Sequence, residues 1–349
     1  MIKRKKTRQI KVGGVRIGGG APISIQSMAK VDTSDVRTVV TQIKALEEAG
    51  CEIIRVAVKD LDDAKAVSAI KKKIKIPLVC DIHFNYRLAL ESIKAGADKI
   101  RLNPGNIRKR EEIAQIIKAA KEARIPIRIG VNSGSVLAGG GRRAASDVLV
   151  KSALQYIKLF EELDFRDIIV SLKASDVAAT VEAYRKMSEL CNYPLHLGVT
   201  ASGSYDSGVV KSAIGIGALL LDGIGDTIRV SLTADPVEEV LAAKRILNAA
   251  GLRCFGPEVI SCPTCGRCQV DLGKIVREAE KALHVSHYTL HNRPLKIAIM
   301  GCEVNGPGEA KEADIGIAFG KDFGMIFKQG KILKKVSVKN AVKELLKII

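Results

Sequence analysis

Eight β-rich apolar runs succeed one another up to about residue 231, each trailed by a stretch of helical periodicity, and this regular alternation constrains the fold more than any other feature. The runs are Ile23–Gln26, Glu52–Val58, Leu78–Ile82, Lys99–Leu102, Ile127–Val131, Asp167–Leu172, Leu195–Val199 and Thr227–Leu232. Amphipathic segments such as Val36–Glu48, Glu111–Ala123 and Val148–Leu163 lie between them, with Gly50 and Gly96 standing where helices stop. Eight serial βα units predict an α/β fold, a closed (β/α)8 TIM barrel, ahead of an open doubly wound sheet. No Gly-x-Gly-x-x-Gly fingerprint follows the first run, which weakens the dinucleotide-fold alternative further. After an eighth helix, Val237–Ala250, the pattern changes to a Cys/Gly/Pro-rich loop, a helix at Leu272–Leu283, short strands at Ile297–Met300, Ile315–Ala318 and Met325–Phe327, and a helix from Asn340. That change predicts a small α+β domain and divides the chain into 1–253 and 254–349.

Chemistry in such barrels sits at the C-terminal ends of the strands. There the chain offers Arg55, Asp81 and His83, Arg101 and Asn103, Arg128 and Asn132, Ser171 and Lys173, Thr200, and Arg229 and Ser231. Four arginines and one lysine aimed at one mouth repel each other unless an anion neutralises them, and a guanidinium fork matches phosphate oxygens. Any single one of these could instead serve a structural salt bridge; their coincidence on different strands favours a phosphate or diphosphate ligand. Asp81 and His83, two residues apart and so on one side of the pleat, could be a general acid/base pair or could hold an arginine in place. His196, in mid-strand, reads as a core histidine.

The formal charge of +18 does not by itself choose among nucleic acid, an anionic surface and an anionic substrate, and much of it reads as lysine on solvated helix faces. Aromatic residues make up only 4% of the chain and Trp is missing, which disfavours recognition by base stacking, so no nucleic-acid partner is expected. The basic opening Ile2-Lys3-Arg4-Lys5-Lys6 is followed by no apolar core of a secretory signal, and the longest apolar stretch, Ile214–Leu221, is too short for a membrane span. A cytoplasmic protein without a membrane partner is the expectation, with its eight cysteines as reduced thiols or metal ligands.

Cys262-Pro263-Thr264-Cys265 is a Cys-x-x-Cys, and Cys302 opens a turn-rich loop that runs to Glu309. Zinc, a redox disulfide and an iron–sulfur cluster all use such pairs. The glycine-rich context of Cys302 suits close packing round a bulky inorganic group, whereas Cys268, overlapping the first pair, could complete a four-Cys zinc site with Cys302. Cys51, Cys80, Cys191 and Cys254 have no partner at ligand spacing and read as core thiols.

Taken together, Ile25–Met28, Ile100–Asn106, Ile129–Ser135, Ser171–Ser175, Leu221–Thr233, Ser261–Arg267 and Gly301–Glu309 resemble the signatures of the bacterial two-domain 4-hydroxy-3-methylbut-2-en-1-yl diphosphate synthases of the non-mevalonate isoprenoid pathway. The resemblance runs from about residue 10 to the C-terminus. It implies a catalytic barrel plus a domain holding a [4Fe–4S] cluster on Cys262, Cys265, Cys302 and Glu309, Glu309 serving catalysis as well. It also implies the reaction, in which 2-C-methyl-D-erythritol 2,4-cyclodiphosphate is opened and deoxygenated by two electrons from flavodoxin or ferredoxin. A head-to-tail homodimer, each cluster domain capping the partner's barrel, belongs to the same implication. Two positions depart from the family pattern. Ala201 stands where the family usually has a Glu thought to serve proton transfer, leaving Asp206, Asp81 or His83 as substitutes, and Cys268 stands where a non-Cys residue is usual. The competing readings are a phosphate- or pterin-binding barrel transferase with a structural zinc domain, and a basic RNA-binding protein with a zinc knuckle.

Overall fold

A computed structural model of the protein describes residues 2–135, 141–200, 203–283, 289–290, 293–304, 308 and 313–349. Two compact units, Met1–Leu252 and Arg253–Ile349, divide the chain. Among the described residues no helix is long and apolar enough to cross a membrane.

In the first unit a short hairpin, β1 (Ile10–Val12) and β2 (Val15–Ile17), precedes eight parallel strands: β3 (Ser24–Met28), β4 (Ile53–Val58), β5 (Leu78–Ile82), β6 (Lys99–Leu102), β7 (Ile127–Asn132), β8 (Ile168–Lys173), β9 (His196–Leu197) and β10 (Thr227–Ile228). The ladder runs β8-β7-β6-β5-β4-β3-β10-β9, and a parallel bridge from Val170 to Leu195 joins its two edges into a barrel. Helices α1 (Val36–Glu48), α2 (Leu61–Lys71), α3 (Tyr86–Lys94), α4 (Arg110–Ala123), α5 (Gly141–Glu162), α6 (Val177–Leu190), α7 (Tyr205–Leu221) and α8 (Pro236–Ala249) alternate with the strands. Asp35, Asp60, Asn85, Asp176 and Asp235 each cap a helix start with a side-chain oxygen that accepts backbone N–H groups, a contribution of about 1 kcal/mol apiece.

All eight predicted runs are barrel strands, but the seventh and eighth are regular over only two residues each, shorter than the expected Leu195–Val199 and Thr227–Leu232. Backbone pairing reaches Arg229, whose N donates to the Leu197 carbonyl at 3.0 Å, and Gly198 beyond β9 is tightly enclosed: a Cβ there would sit 2.7 Å from Lys173 Nζ and 2.6 Å from the Arg229 carbonyl oxygen. The hairpin was not anticipated, since two three-residue strands round Gly13-Gly14 carry almost no periodic signal. Its Ile10, Val12 and Ile17 pack on Ile53, Val79 and Ile169, which point inward near the N-terminal ends of their strands, so the hairpin closes the barrel floor with apolar side chains.

Strand registers stack the inward residues in layers of four from alternate strands. Ile53, Lys99, Ile169 and Thr227 form the lowest of three; Gln26, Val79, Arg128 and His196 the next; Arg55, Arg101, Ser171 and Arg229 the third. Above them come Met28, Asp81, Gly130 and Gly198.

The second unit is a sheet ordered β11 (Glu258–Ser261), β14 (Lys296–Met300), β15 (Ile315–Phe319), β16 (Phe323–Lys328) and β17 (Lys331–Ser337), the first three parallel and the rest antiparallel. A minimal hairpin, β12 (Thr289–Leu290) and β13 (Arg293–Pro294), precedes β14. Helix α9 (Leu272–Leu283) turns Leu272, Ile275, Ala279 and Leu283 onto the sheet beside Ala341, Val342 and Leu345 of α10 (Ala341–Leu346). Each fully buried Leu or Ile in that cluster adds about 1.5–3 kcal/mol of hydrophobic stabilisation. Helix α9 spans the predicted residues, whereas β11 lies in the stretch read as loop and β17, lysine-rich on an edge, was not foreseen.

Candidate active site

A cavity of about 230 Å³ opens at the C-terminal ends of the barrel strands, lined by Arg55, Arg101, Arg128, Lys173 and Arg229 with a single carboxylate, Asp81. His83, Asn132, Ser171, Thr200 and Ser231 complete the polar wall, and Met28 is its one apolar member. Of the residues proposed from sequence for the barrel mouth, only Asn103 stands apart from this lining. It is buried, and its Oδ1 accepts from Gly105 N at 3.0 Å, holding the loop after β6.

Asp81 organises the cluster. Arg101 Nη1 donates to Asp81 Oδ1 at 3.0 Å, Arg55 Nε lies 3.8 Å from Oδ2, and His83 Nε2 is 4.0 Å from the same oxygen. Burial alone would raise the Asp81 carboxyl, but the guanidinium groups of Arg55 and Arg101 outweigh it and hold the group ionised, well below the usual carboxylate range. Arg101 also donates to the Gly130 carbonyl at 3.0 Å, and Asn132, with its amide turned to suit its neighbours, accepts from Arg101 Nη2 at 3.2 Å. This packing needs Gly130, because a Cβ there would meet Arg101 Nε at 2.4 Å. Arg55 rests its Nε and Nη2 on the Met28 sulfur at 3.0 and 2.8 Å. Burial, and behind it the nearby Arg229 and Arg101, draws Arg55 down to about 10 in spite of Asp81, so it stays cationic at neutral pH.

Across the mouth, Arg229 Nη2 pairs with Glu239 at 3.2 Å. Glu239 is buried; it also takes Lys30 Nζ at 3.0 Å, Ser27 Oγ at 3.3 Å and Leu232 N at 3.0 Å. Sequence reasoning missed this carboxylate because a Glu in the first turn of α8 reads as a helix-dipole partner on a solvated face. Lys173 is buried without an ion pair among the described residues, and burial together with Arg128 and Arg229 pushes its ammonium well below the ordinary lysine value. Asp206 lies exposed in the first turn of α7 and does not line the cavity. Ala201 falls outside the described residues.

In the second unit, β11 and β14 are parallel neighbours, so Cys262, just past β11, and Cys302, just past β14, emerge at one end of the sheet. Gly301 N donates to Cys262 Sγ at 3.4 Å, and a Cβ on Gly301 would meet Cys268 Sγ at 2.5 Å. Cys302 is buried and Cys265 exposed, and Thr264 between the first two cysteines takes a left-handed φ of 66°. Glu309 lies outside the described residues. Among the described residues no group of three or more His, Cys, Asp and Glu side chains is placed to hold a metal ion. A polynuclear cluster takes each thiolate on a different iron, and an N–H aimed at a ligand sulfur, as at Cys262, is one of its usual supports. The thiols that the sheet brings to this end are soft donors of the kind an iron–sulfur group takes.

Fold and site together define a (β/α)8 barrel with a mouth lined by basic side chains, followed in the chain by a thiol-bearing α+β unit. Residues 7–244 match the family described as the GcpE TIM-barrel domain and residues 258–349 the GcpE protein C-terminal domain. The chain belongs to the GcpE family. It is 55% identical to the 4-hydroxy-3-methylbut-2-en-1-yl diphosphate synthase (flavodoxin) of Thermodesulfovibrio yellowstonii, covering 100% of this chain and 99% of that one. The enzyme of the same name from Caldanaerobacter subterraneus subsp. tengcongensis is 56% identical, over 100% of this chain and 98% of that one. Among solved structures, dihydropteroate synthase from Stenotrophomonas maltophilia covers 71% of this chain and 100% of its own at a TM-score of 0.54; at 14% identity it shares the fold alone.

Proposed function

We propose that the chain catalyses the reductive ring opening and deoxygenation of 2-C-methyl-D-erythritol 2,4-cyclodiphosphate to (E)-4-hydroxy-3-methylbut-2-enyl diphosphate. The observation that carries this reading is the convergence of four arginines and a lysine on a cavity with one carboxylate, in a chain that matches synthases of that name along its full length. Arg55, Arg101, Arg128, Lys173 and Arg229 hold the diphosphate and spread the charge that builds on it as the ring C–O bond breaks. Asn132, Ser171 and Ser231 orient it, and Asn103 fixes the loop beside them. Two electrons and two protons enter for each hydroxyl lost as water. Asp81 is held ionised between Arg101 and Arg55, so it serves as an orienting anion, and His83 beside it at the mouth moves the proton.

Cys262, Cys265, Cys302 and Glu309 would hold a [4Fe–4S] cluster, which supplies single electrons to the substrate from flavodoxin or ferredoxin. Glu309 would hold the cluster by a hard carboxylate, which binds an iron–sulfur centre more weakly than thiolate does and so is exchangeable. A typically acidic electron carrier meets a chain of net charge +18. Helix α8 runs away from the mouth toward the N-terminal face of its barrel before the second unit begins. The working form is therefore a cytoplasmic homodimer in which each cluster domain caps the partner's barrel.

The test is anaerobic purification followed by iron, sulfide and zinc analysis and turnover of the cyclic diphosphate with a reduced flavodoxin. About four irons and four sulfides per chain and formation of the linear diphosphate are expected. Stoichiometric zinc without sulfide, or a loaded protein inert toward the cyclic diphosphate, refutes the reading.

A further inference from the structure

Below the diphosphate cavity the barrel interior holds a second set of polar groups, of which only Arg128 also reaches the cavity above. Lys99 and Arg128 point inward in the two lowest of the three layers described above, and both are buried. Neither makes an ion pair among the described residues. The carboxylates that could have served them are engaged elsewhere: Asp81 by Arg101, Asp98 by Lys71, Asp226 by Arg4 and Glu239 by Arg229 and Lys30. Lys99 has one long contact, its Nζ donating to Gln26 Oε1 at 3.4 Å. Gln26 Nε2, Arg128 Nε and Nη1 and both ring nitrogens of His196 are sealed from solvent without a hydrogen-bond partner.

Buried charges are paired and buried donors are satisfied in folded proteins, and each exception calls for an unseen water or ion. Here the orphaned groups are mostly donors, one of them the cation Arg128, and Lys99 beside them has a single long contact and no ion pair among the described residues, so water alone leaves the charge uncompensated. Ile53 and Ile169 share the layer of Lys99, and Ile10, Val12 and Ile17 of the β1–β2 hairpin pack against them from beneath, so an occupant enters from the mouth and stays out of bulk solvent. Arg128 lines the cavity above and belongs to the lower layer as well, which links the two.

We propose that a small monovalent inorganic anion of halide size binds inside the barrel beneath the substrate cavity, held by Lys99, Arg128, Gln26 and His196. The anion compensates Lys99, which otherwise faces Arg128 and Arg55 with no negative partner. It also gives Arg128 a fixed lower partner, leaving the outer edge of its guanidinium for the cavity.

Diffraction from crystals of the full chain soaked in bromide, collected at the bromine edge, tests this without any variant. An anomalous peak within about 3.5 Å of Lys99 Nζ and the Arg128 guanidinium is expected. Its absence overturns the proposal, as does a peak confined to the mouth around Lys173 and Arg229. In solution at constant ionic strength, replacing gluconate by chloride should raise the barrel's Tm by roughly 3–5 °C per tenfold chloride once the site saturates. Lys99→Met should fold, lose the bromide peak and lose the chloride-specific rise. If Lys99→Met keeps both, the anion belongs to the mouth and the inference falls. A wild-type Tm indifferent to chloride likewise means that Lys99 is neutral and the layer is filled by water. None of these outcomes depends on the chain being a synthase.

Discussion

At the scale of single residues the barrel mouth is arranged by what is missing as much as by what is present. Gly130 gives up its side chain so that Arg101 can lie between Asp81 and the Gly130 carbonyl. Gly130→Ala should fold, because its Cβ meets the end of a side chain, and should weaken diphosphate binding by about 1–3 kcal/mol as Arg101 leaves its charge-assisted hydrogen bonds. Gly198→Ala meets backbone at 2.6 Å, which cannot retreat, and should show up mainly as a lower Tm. Equal effects of the two on affinity and Tm would contradict this division. Lys173 supports a second prediction. Its folded pKa is depressed by burial first and by Arg128 and Arg229 after it, so between that value and the ordinary lysine value the free protein lacks a proton that an adjacent anion restores. Anion binding in that window must take up protons. A pH-stat titration with potassium sulfate, repeated at steps downward from the ordinary lysine value, should need added acid within that window, and Lys173→Met should need less; equal uptake would assign the effect to another group. The arginines themselves were legible because a cation at the end of an apolar strand is conspicuous. Gly130, Gly198 and Glu239 were not, because their roles depend on which side chain a neighbouring strand or helix lays against them.

Among elements, the strands and helices with strong period were legible with small shifts at their ends, and the short pieces were not. The β1–β2 hairpin shows why: its strands are too brief for alternation to register, yet Ile10, Val12 and Ile17 are buried against the barrel floor. Ile17→Ala should cost about 2–5 kcal/mol through the cavity it leaves, read as a lower midpoint in urea, while anion affinity at the opposite mouth stays the same. A change in affinity matching the loss of stability would mean that the floor and the mouth are coupled. Strand β11 was read as loop because its Glu258–Ser261 run stands between glycine, proline and cysteine; its pairing with β14, a contact distant in sequence, makes it a strand and brings Cys262 and Cys302 to one end of the sheet. The thiol spacing of the second unit could be read from sequence, but the partner of Cys262 across the sheet could not.

For the whole molecule, the barrel mouth and the cysteine loops must meet over one substrate if the proposed reaction is right. Each βα unit returns the chain to the face opposite the mouth, and α8 is the last such return before the second unit begins at Arg253. The proposed homodimer sets the second unit of one chain over the barrel mouth of the other. Arg101→Ala leaves the thiols whole and Cys302→Ser leaves the mouth whole, so each variant alone should be inactive. Mixed under conditions that exchange subunits, they form a heterodimer in which one mouth carrying Arg101 is capped by one second unit carrying Cys302. With random exchange of equal amounts, about half of the dimers are mixed and each has one sound site, so activity should return to roughly a quarter of the wild-type value. Recovery that rises with the measured heterodimer fraction establishes the crossed arrangement. No recovery despite proven exchange means that each chain supplies both halves of its own site, since each site of the mixed dimer would then carry one of the two defects.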